Sequence, residues 1–405
     1  MLAESKHLVA GITTLVLITT RFFTFVQNDK APENLIPDAP RNTMHYQLER
    51  THGCRISDAW AYRGLKTAII ENEILRVVVL IDKGADIYQL VHKPTDTDFL
   101  WRSPWGVRDP SKFIPTTGSP TNVWLDVYEG GWQTVLPAGG FPSVYGGADM
   151  GLHAEVNTMP WDHAILEDTP ERVSIKFWVR TYRTPFFFEK TLSLSSGSGV
   201  LEIDQKLTNE GEEPVHCVWG EHIALGAPFL SDDCVIDLPG GKVMNHHEDF
   251  HPNNKLKAGF EGQWPMVEAK DGSSVDLSKV PNKDYRSYDQ SYITDMPEGW
   301  YAITNQKLGV GFGVTFPTDV YKFLWYWQSL GGGYGHPWYG RTYNIGLEPF
   351  TSYTNEGLQA AIDNGTALHL QPGEEVTAPV RAVAFESSAG VESMTPGGVV
   401  TTKDG

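Results

Sequence analysis

Apolar and polar residues alternate along most of this chain, and helical periodicity is scarce. Residues 172–180, RVSIKFWVR, put Val173, Ile175, Phe177 and Val179 on one face, as a half-buried strand requires. Residues 65–71 (LKTAIIE) and 74–81 (ILRVVVLI) have strand character and flank a turn signal at Glu71-Asn72-Glu73. The runs at 186–194 and 199–208 follow the 172–180 run after short loops, which predicts antiparallel hairpins. Further strands are predicted at 214–224, 299–305, 309–316, 320–328, 343–348 and 375–386, and one short helix over 355–363. At least a dozen strands without helical crossovers imply an all-β fold of large antiparallel sheets packed face to face. Gly and Pro punctuate 44–390 without a linker or a fixed repeat, so this stretch reads as one domain.

The two ends read differently. Residues 8–20, LVAGITTLVLITT, form an apolar run too short to span a bilayer comfortably, and Arg21 interrupts it before FFTFV. Lys6 precedes the run and no A-x-A cleavage site follows it. An uncleaved anchor, an imperfect signal peptide and a dispensable extension all fit, with Met44 as an internal start. Residues 27–43 read as a Pro- and Asn-rich linker, so 1–43 stand outside the domain, and 391–405 read as a flexible tail. A cytoplasmic location is expected, or a secreted or anchored one if residues 1–26 act as signal or anchor. Membrane contact is expected only through 8–26. The sequon Asn364-Gly365-Thr366 matters only if the chain is secreted.

Composition narrows the function. The formal net charge is -18, which repels phosphate backbones and argues against a nucleic-acid partner. Charged residues are 20% of the chain and apolar ones 40%, a globular balance. Aromatics reach 12%, with 13 Trp, and their flat faces with a polar handle suit stacking on sugar rings. Cys54, Cys217 and Cys234 cannot all pair and have no metal-ligand spacing. His247-Glu248-Asp249-Phe250-His251 matches H-E-x-x-H, a zinc signature when it lies on a helix. Here Gly240-Gly241 precede it and Pro252 follows it, so it reads as a surface loop, and neither a metal nor a cofactor is expected.

Candidate chemistry gathers at three positions. His153, His222 and Glu348 each stand two residues after a glycine (Gly151, Gly220, Gly346). In a strand, such a pair shares a face, and the bare glycine leaves room for a ligand. Trp132 and Gln133 follow Gly130-Gly131, and a substrate-binding role is expected for both. Trp325 and Trp327 read as core packing. Residues 331–339, GGGYGHPWY, form a Gly/aromatic loop.

The strings GGWQTVLPAGG, GLHAEVNTMPW, WGEHIALGAPF, YDQSYITDMPEGW and NIGLEPF, in that order, resemble the aldose 1-epimerase (galactose mutarotase-like) superfamily, and more narrowly its divergent sugar-binding members. The similarity runs over roughly 60–385. It implies an antiparallel β-supersandwich with a sugar cleft, His222 as general acid, Glu348 as general base, and His153 and Asp289 as sugar ligands. The sequence departs from the pattern at Glu221, where Asn is usual, and at Gln290, where His is common. The early Arg of typical members has only Arg63 and Arg76 as candidates.

The implied reaction interconverts sugar anomers. A base takes the C1 hydroxyl proton, an acid protonates the ring oxygen, and the two reverse on closure. At ordinary pKa values Glu348 would be ionised and His222 partly charged at pH 7. The expected partner is a small-molecule sugar. A non-catalytic carbohydrate-binding protein is the alternative from another class. A polysaccharide lyase or hydrolase is a third reading, and a hydrolase would need a second carboxylate such as Asp289 or Glu221 beside Glu348.

Overall fold

The computed structural model describes residues 50–112, 115–249 and 251–404. The apolar run at 8–20 and the linker at 27–43 lie outside these residues. Two antiparallel sheets dominate. The eight-stranded sheet runs in the order Cys234–Asp237, Trp300–Asn305, Val310–Thr315, Glu375–Glu386, Val200–Asn209, Phe186–Ser195, Arg172–Arg180, Asp162–Asp168. The predicted hairpins are there: Val173 pairs with Leu194, and Phe188 with Leu207. Asn72 makes the turn between Leu65–Glu71 and Leu75–Leu80, its Oδ1 accepting from the amides of Ile74 (2.9 Å) and Leu75 (2.7 Å), an Asx turn.

The twelve-stranded sheet carries, at its centre, Trp132–Val135, Gly220–Gly226, Tyr343–Phe350, Phe323–Leu330 and Ser287–Thr294 as consecutive neighbours. Alternation divides these strands cleanly. Trp132, Ile223, Leu225, Ile345, Leu347, Leu324, Tyr326 and Ile293 join residues of the other sheet, such as Leu192, Ile203 and Phe312, in the main core. The intervening residues face away from that core. Register then aligns them in a row: Gln133 pairs with His222, Glu348 with Trp325, and Trp325 with Tyr292. Gly220 pairs with Phe350 and Ala224 with Gly346, which puts His222 opposite Glu348.

Helix is sparse. Leu358–Asp363 lies within the predicted 355–363, and Asn122–Leu125 adds one more turn. Among the described residues no helix is long and apolar enough to cross a membrane. The tail expected at 391–405 is instead structured. Val391–Met394 and Val400–Thr402 form a hairpin, and Val391 and Met394 pack on Trp300 and Val383. The Lys403 ammonium pairs with Asp237 at 2.6 Å. Burial of the Val391 and Met394 side chains against a ready surface holds the segment in place.

Candidate active site

The row Gln133–His222–Glu348–Trp325 underlies a cavity of about 320 Å³ on the outer face of the twelve-stranded sheet. His222 Nε2 lies 3.5 Å from Glu348 Oε1, and both side chains are nearly inaccessible. The Tyr128 hydroxyl stands 3.5 Å from His222 Nδ1. Glu348 Oε1 has no hydrogen-bond partner among the described residues. His153 completes the group, its ring centroid 5.1 Å from that of His222.

His153 reaches the cavity from a turn and not from a strand. Its backbone is left-handed, with φ at 50°, a conformation that costs a non-glycine residue free energy and recurs at functional sites. The Gly140 amide donates to His153 Nδ1 at 3.1 Å. That bond sets the tautomer: the ring proton sits on Nε2, a neutral donor. Burial, and then the neighbouring His222, push His153 well below the usual imidazole range and keep it uncharged.

Aromatic residues wall the cavity. Trp124, Trp325, Trp327, Trp338 and Tyr288 line it. Trp124 stacks on Tyr128 at 4.2 Å and meets His153 edge-on at 4.7 Å. Trp325 stacks on Phe350 at 3.8 Å, and its indole N–H bonds to Ser352 O at 2.7 Å. Trp338 donates to the Tyr288 hydroxyl at 3.0 Å. The core reading of Trp325 and Trp327 is thus incomplete. Both are buried, yet they form the cavity wall.

Three expectations are corrected. Trp132 does not reach the cavity: it lies in the inter-sheet core, and its indole N–H donates to Glu221 Oε2 at 2.6 Å. Asp289 also faces the interior, because its strand neighbour Gln290 takes the cavity side. The Asp289 carboxylate accepts from the Lys255 and Leu256 amides at 2.9 Å and from the Asn254 side chain, so it anchors residues 254–256. Gln133 is on the cavity side but lies beneath the lining. It accepts from Trp124 Nε1 at 2.9 Å and donates to Asp86 at 2.9 Å and to Glu129 at 3.3 Å. Lys83, fully buried, bridges those two carboxylates at 2.8 and 2.7 Å. Gln133 therefore positions Trp124 and does not meet a ligand.

The glycine spacing had a different physical basis from the one expected. A Cβ on Gly346 would lie 2.1 Å from Glu348 Oε1, and one on Gly220 would lie 2.2 Å from the Phe350 ring. The room is filled by protein atoms: Gly346 lets the Glu348 carboxylate fold back over its own strand, and Gly220 admits Phe350.

Charge states also differ from ordinary values. Burial pushes the Glu348 carboxyl well above the usual carboxylate range, and burial lowers His222 to about 3. Both groups are held toward their neutral forms. Glu221, on the opposite face as strand alternation predicts, is raised to about 7 by burial. Glu348 is the one carboxylate lining the cavity among the described residues, and no Lys or Arg lines it. Trp124 and Asn355 had no motif to announce them, and Tyr288 and Gln290 lay in the YDQSY motif without being taken as ligands. The 331–339 loop did carry a signal, and its Tyr334, His336 and Trp338 line the mouth.

The family model for a domain of unknown function (DUF4432) matches residues 62–382. The chain belongs to the DUF4432 family. No curated protein matches its sequence. Among solved structures, a candidate aldose 1-epimerase from Klebsiella pneumoniae is similar, with TM-score 0.64 and 17% identity over 83% of this chain and 84% of that one. A galactose mutarotase-like protein from Clostridium acetobutylicum gives TM-score 0.53 and 14% identity over 82% and 99%. A galactose mutarotase related enzyme from Lactobacillus acidophilus gives 0.51 and 16% over 80% and 98%. This DUF4432 chain has the galactose mutarotase-like β-sandwich fold.

Proposed function

We propose that this DUF4432 protein is an aldose 1-epimerase acting on neutral sugars. The observation that carries the reading is the His222–Glu348 pair, 3.5 Å apart on the floor of an aromatic-walled cavity. Mutarotation needs one acid and one base within reach of two oxygens on the same carbon. A pair that shares one proton supplies both. In the neutral pair Glu348 carries the proton and His222 the free lone pair. His222 takes the proton of the C1 hydroxyl, Glu348 protonates the ring oxygen, and the C1–O5 bond opens to the aldehyde. Closure on the other face of the carbonyl returns both protons, so the protein ends unchanged and no cofactor is consumed. Each group serves once as acid and once as base. This ordering departs from the roles the family resemblance implies for the first step, and its reason is the burial of both groups.

His153, with its proton on Nε2, holds a sugar oxygen. The tryptophans stack on the apolar face of the ring, which supplies affinity without charge. A lining without Lys or Arg among the described residues gives no counter-charge to a phosphate, and the net charge of -18 opposes one. A hydrolase needs two carboxylates at one bond, and the expected partners Asp289 and Glu221 both face the interior.

Polarimetry of freshly dissolved α-anomers tests the reading. The wild type should accelerate mutarotation of a neutral aldohexose and leave its 6-phosphate near the spontaneous rate. Glu348→Gln should lose about 10²–10⁴-fold in kcat. Wild-type rates in Glu348→Gln would overturn the assignment. Sugar binding without any acceleration by the wild type would make the protein a carbohydrate-binding module.

A further inference from the structure

The histidine doublet His246-His247 follows the strand Lys242–Asn245, and Glu356 lies beyond the strand Tyr343–Phe350. Each of these three side chains offers one donor atom, and the three atoms lie within 4.8 Å of one another. His247 Nε2 and Glu356 Oε1 are 3.2 Å apart. Two ligands of a tetrahedral ion with bonds of about 2.0–2.2 Å sit at nearly that separation. The two imidazole centroids are 4.5 Å apart.

The surroundings orient the group. The Tyr292 hydroxyl lies 2.9 Å from His246 Nδ1 and accepts the Asn355 amide at 3.1 Å. It fixes the His246 ring as outer-shell partners fix ligating histidines. The His246 amide bonds to Gln290 O at 2.9 Å. Gln290 and Asn355 both line the sugar cavity, so the triad sits at its rim.

We propose that His246, His247 and Glu356 bind one divalent transition-metal ion, zinc by the chemistry of the donors. Two imidazoles and one carboxylate suit zinc. Magnesium and calcium favour sites built from oxygen. The ion would tie the end of the Lys242–Asn245 strand to the segment that carries Asn355. Three protein ligands leave a coordination position for water or a ligand atom. The H-E-x-x-H pattern is not the basis of the site. Its second histidine, His251, bonds through Nε2 to Tyr334 O at 3.1 Å, and the first pairs with its chain neighbour His246 instead.

The test is calorimetric titration of the EDTA-treated, dialysed protein with zinc chloride. Binding should saturate at one ion per chain, and calcium and magnesium chlorides should give no saturable heat. His247→Ala and Glu356→Gln should each weaken zinc binding by about tenfold or more, while His251→Ala keeps wild-type affinity. The His247 and Glu356 side chains are 47% and 40% exposed, so melting temperatures without metal should match the wild type and exclude misfolding as the cause. No saturable zinc binding, wild-type affinity in either triad variant, or loss of binding in His251→Ala would each overturn the proposal.

Discussion

At the scale of residues, burial biases both His222 and Glu348 toward their neutral forms. In the proposed reaction the active form is the singly protonated pair, so the pH limits of catalysis would belong to the pair and not to either group. The acid limb is the second protonation, near the lowered value of about 3 for His222. The alkaline limb is loss of the remaining proton, at the raised pKa of Glu348. kcat/KM should therefore keep a plateau that reaches well below about pH 6.5 on the acid side and ends on the alkaline side with the raised Glu348 carboxyl. An ordinary imidazole acid would instead halve the rate near pH 6.5. A kcat/KM profile that titrates at that value would show that His222 of the free protein is an ordinary imidazole, and would overturn the neutral pair. At this scale the glycine-spaced His222, Glu348 and His153 stood out as candidates in the sequence, and the structure brings their side chains to one cavity. Asp289 was misplaced for one positional reason. Side-chain direction has a period of two in a strand, and the sequence does not say which parity faces the cavity.

The strand is the scale at which the pair is assembled. His222 and Glu348 lie on adjacent strands in opposed register, so their distance follows from strand pairing and needs no loop to hold it. Gly346 is what permits the fold-back of Glu348. In Gly346→Ala the new Cβ meets Glu348 Oε1 at 2.1 Å, and the carboxylate must swing away. We expect kcat to fall at least about tenfold, since misplacing a proton-transfer group removes most of its effect. Stability should change much less, because the clash is with a movable side-chain end. Polarimetry beside a thermal melt checks both, and unchanged kcat would show that Glu348 does not need its observed position. The layer below has the same logic. Lys83, Asp86 and Glu129 support Gln133, which holds Trp124. The links that join the two halves of this layer, Lys83 to Glu129 and Asp86 to Gln133, connect segments more than forty residues apart, so they have no sequence signature.

At the scale of the molecule, the two sheets enclose the main core, and the C-terminal hairpin covers a separate apolar cluster. The hairpin covers Trp300 and Val383 with Val391 and Met394. Deleting residues 391–405 should cost at least about 2 kcal/mol, the burial of a large apolar side chain or more. It should also lower the urea midpoint while leaving the distant cavity able to bind sugar. A midpoint equal to that of the intact chain would return the hairpin to the status of a tail. Its strands were missed because they are three or four residues long, too short for alternation to rise above the turn residues around them.

Alternation and turn chemistry were enough to read an all-β chain with antiparallel hairpins, because both are local properties that each strand carries alone. Residue type and spacing were likewise enough to single out His222, Glu348 and His153. Tertiary structure decided the rest: that Trp124 and not Trp132 walls the cavity, that Gln290 and not Asp289 faces it, and that burial biases His222 and Glu348 toward their neutral forms. Strand register, sheet face and desolvation arise only when distant segments meet, so no local pattern can encode them.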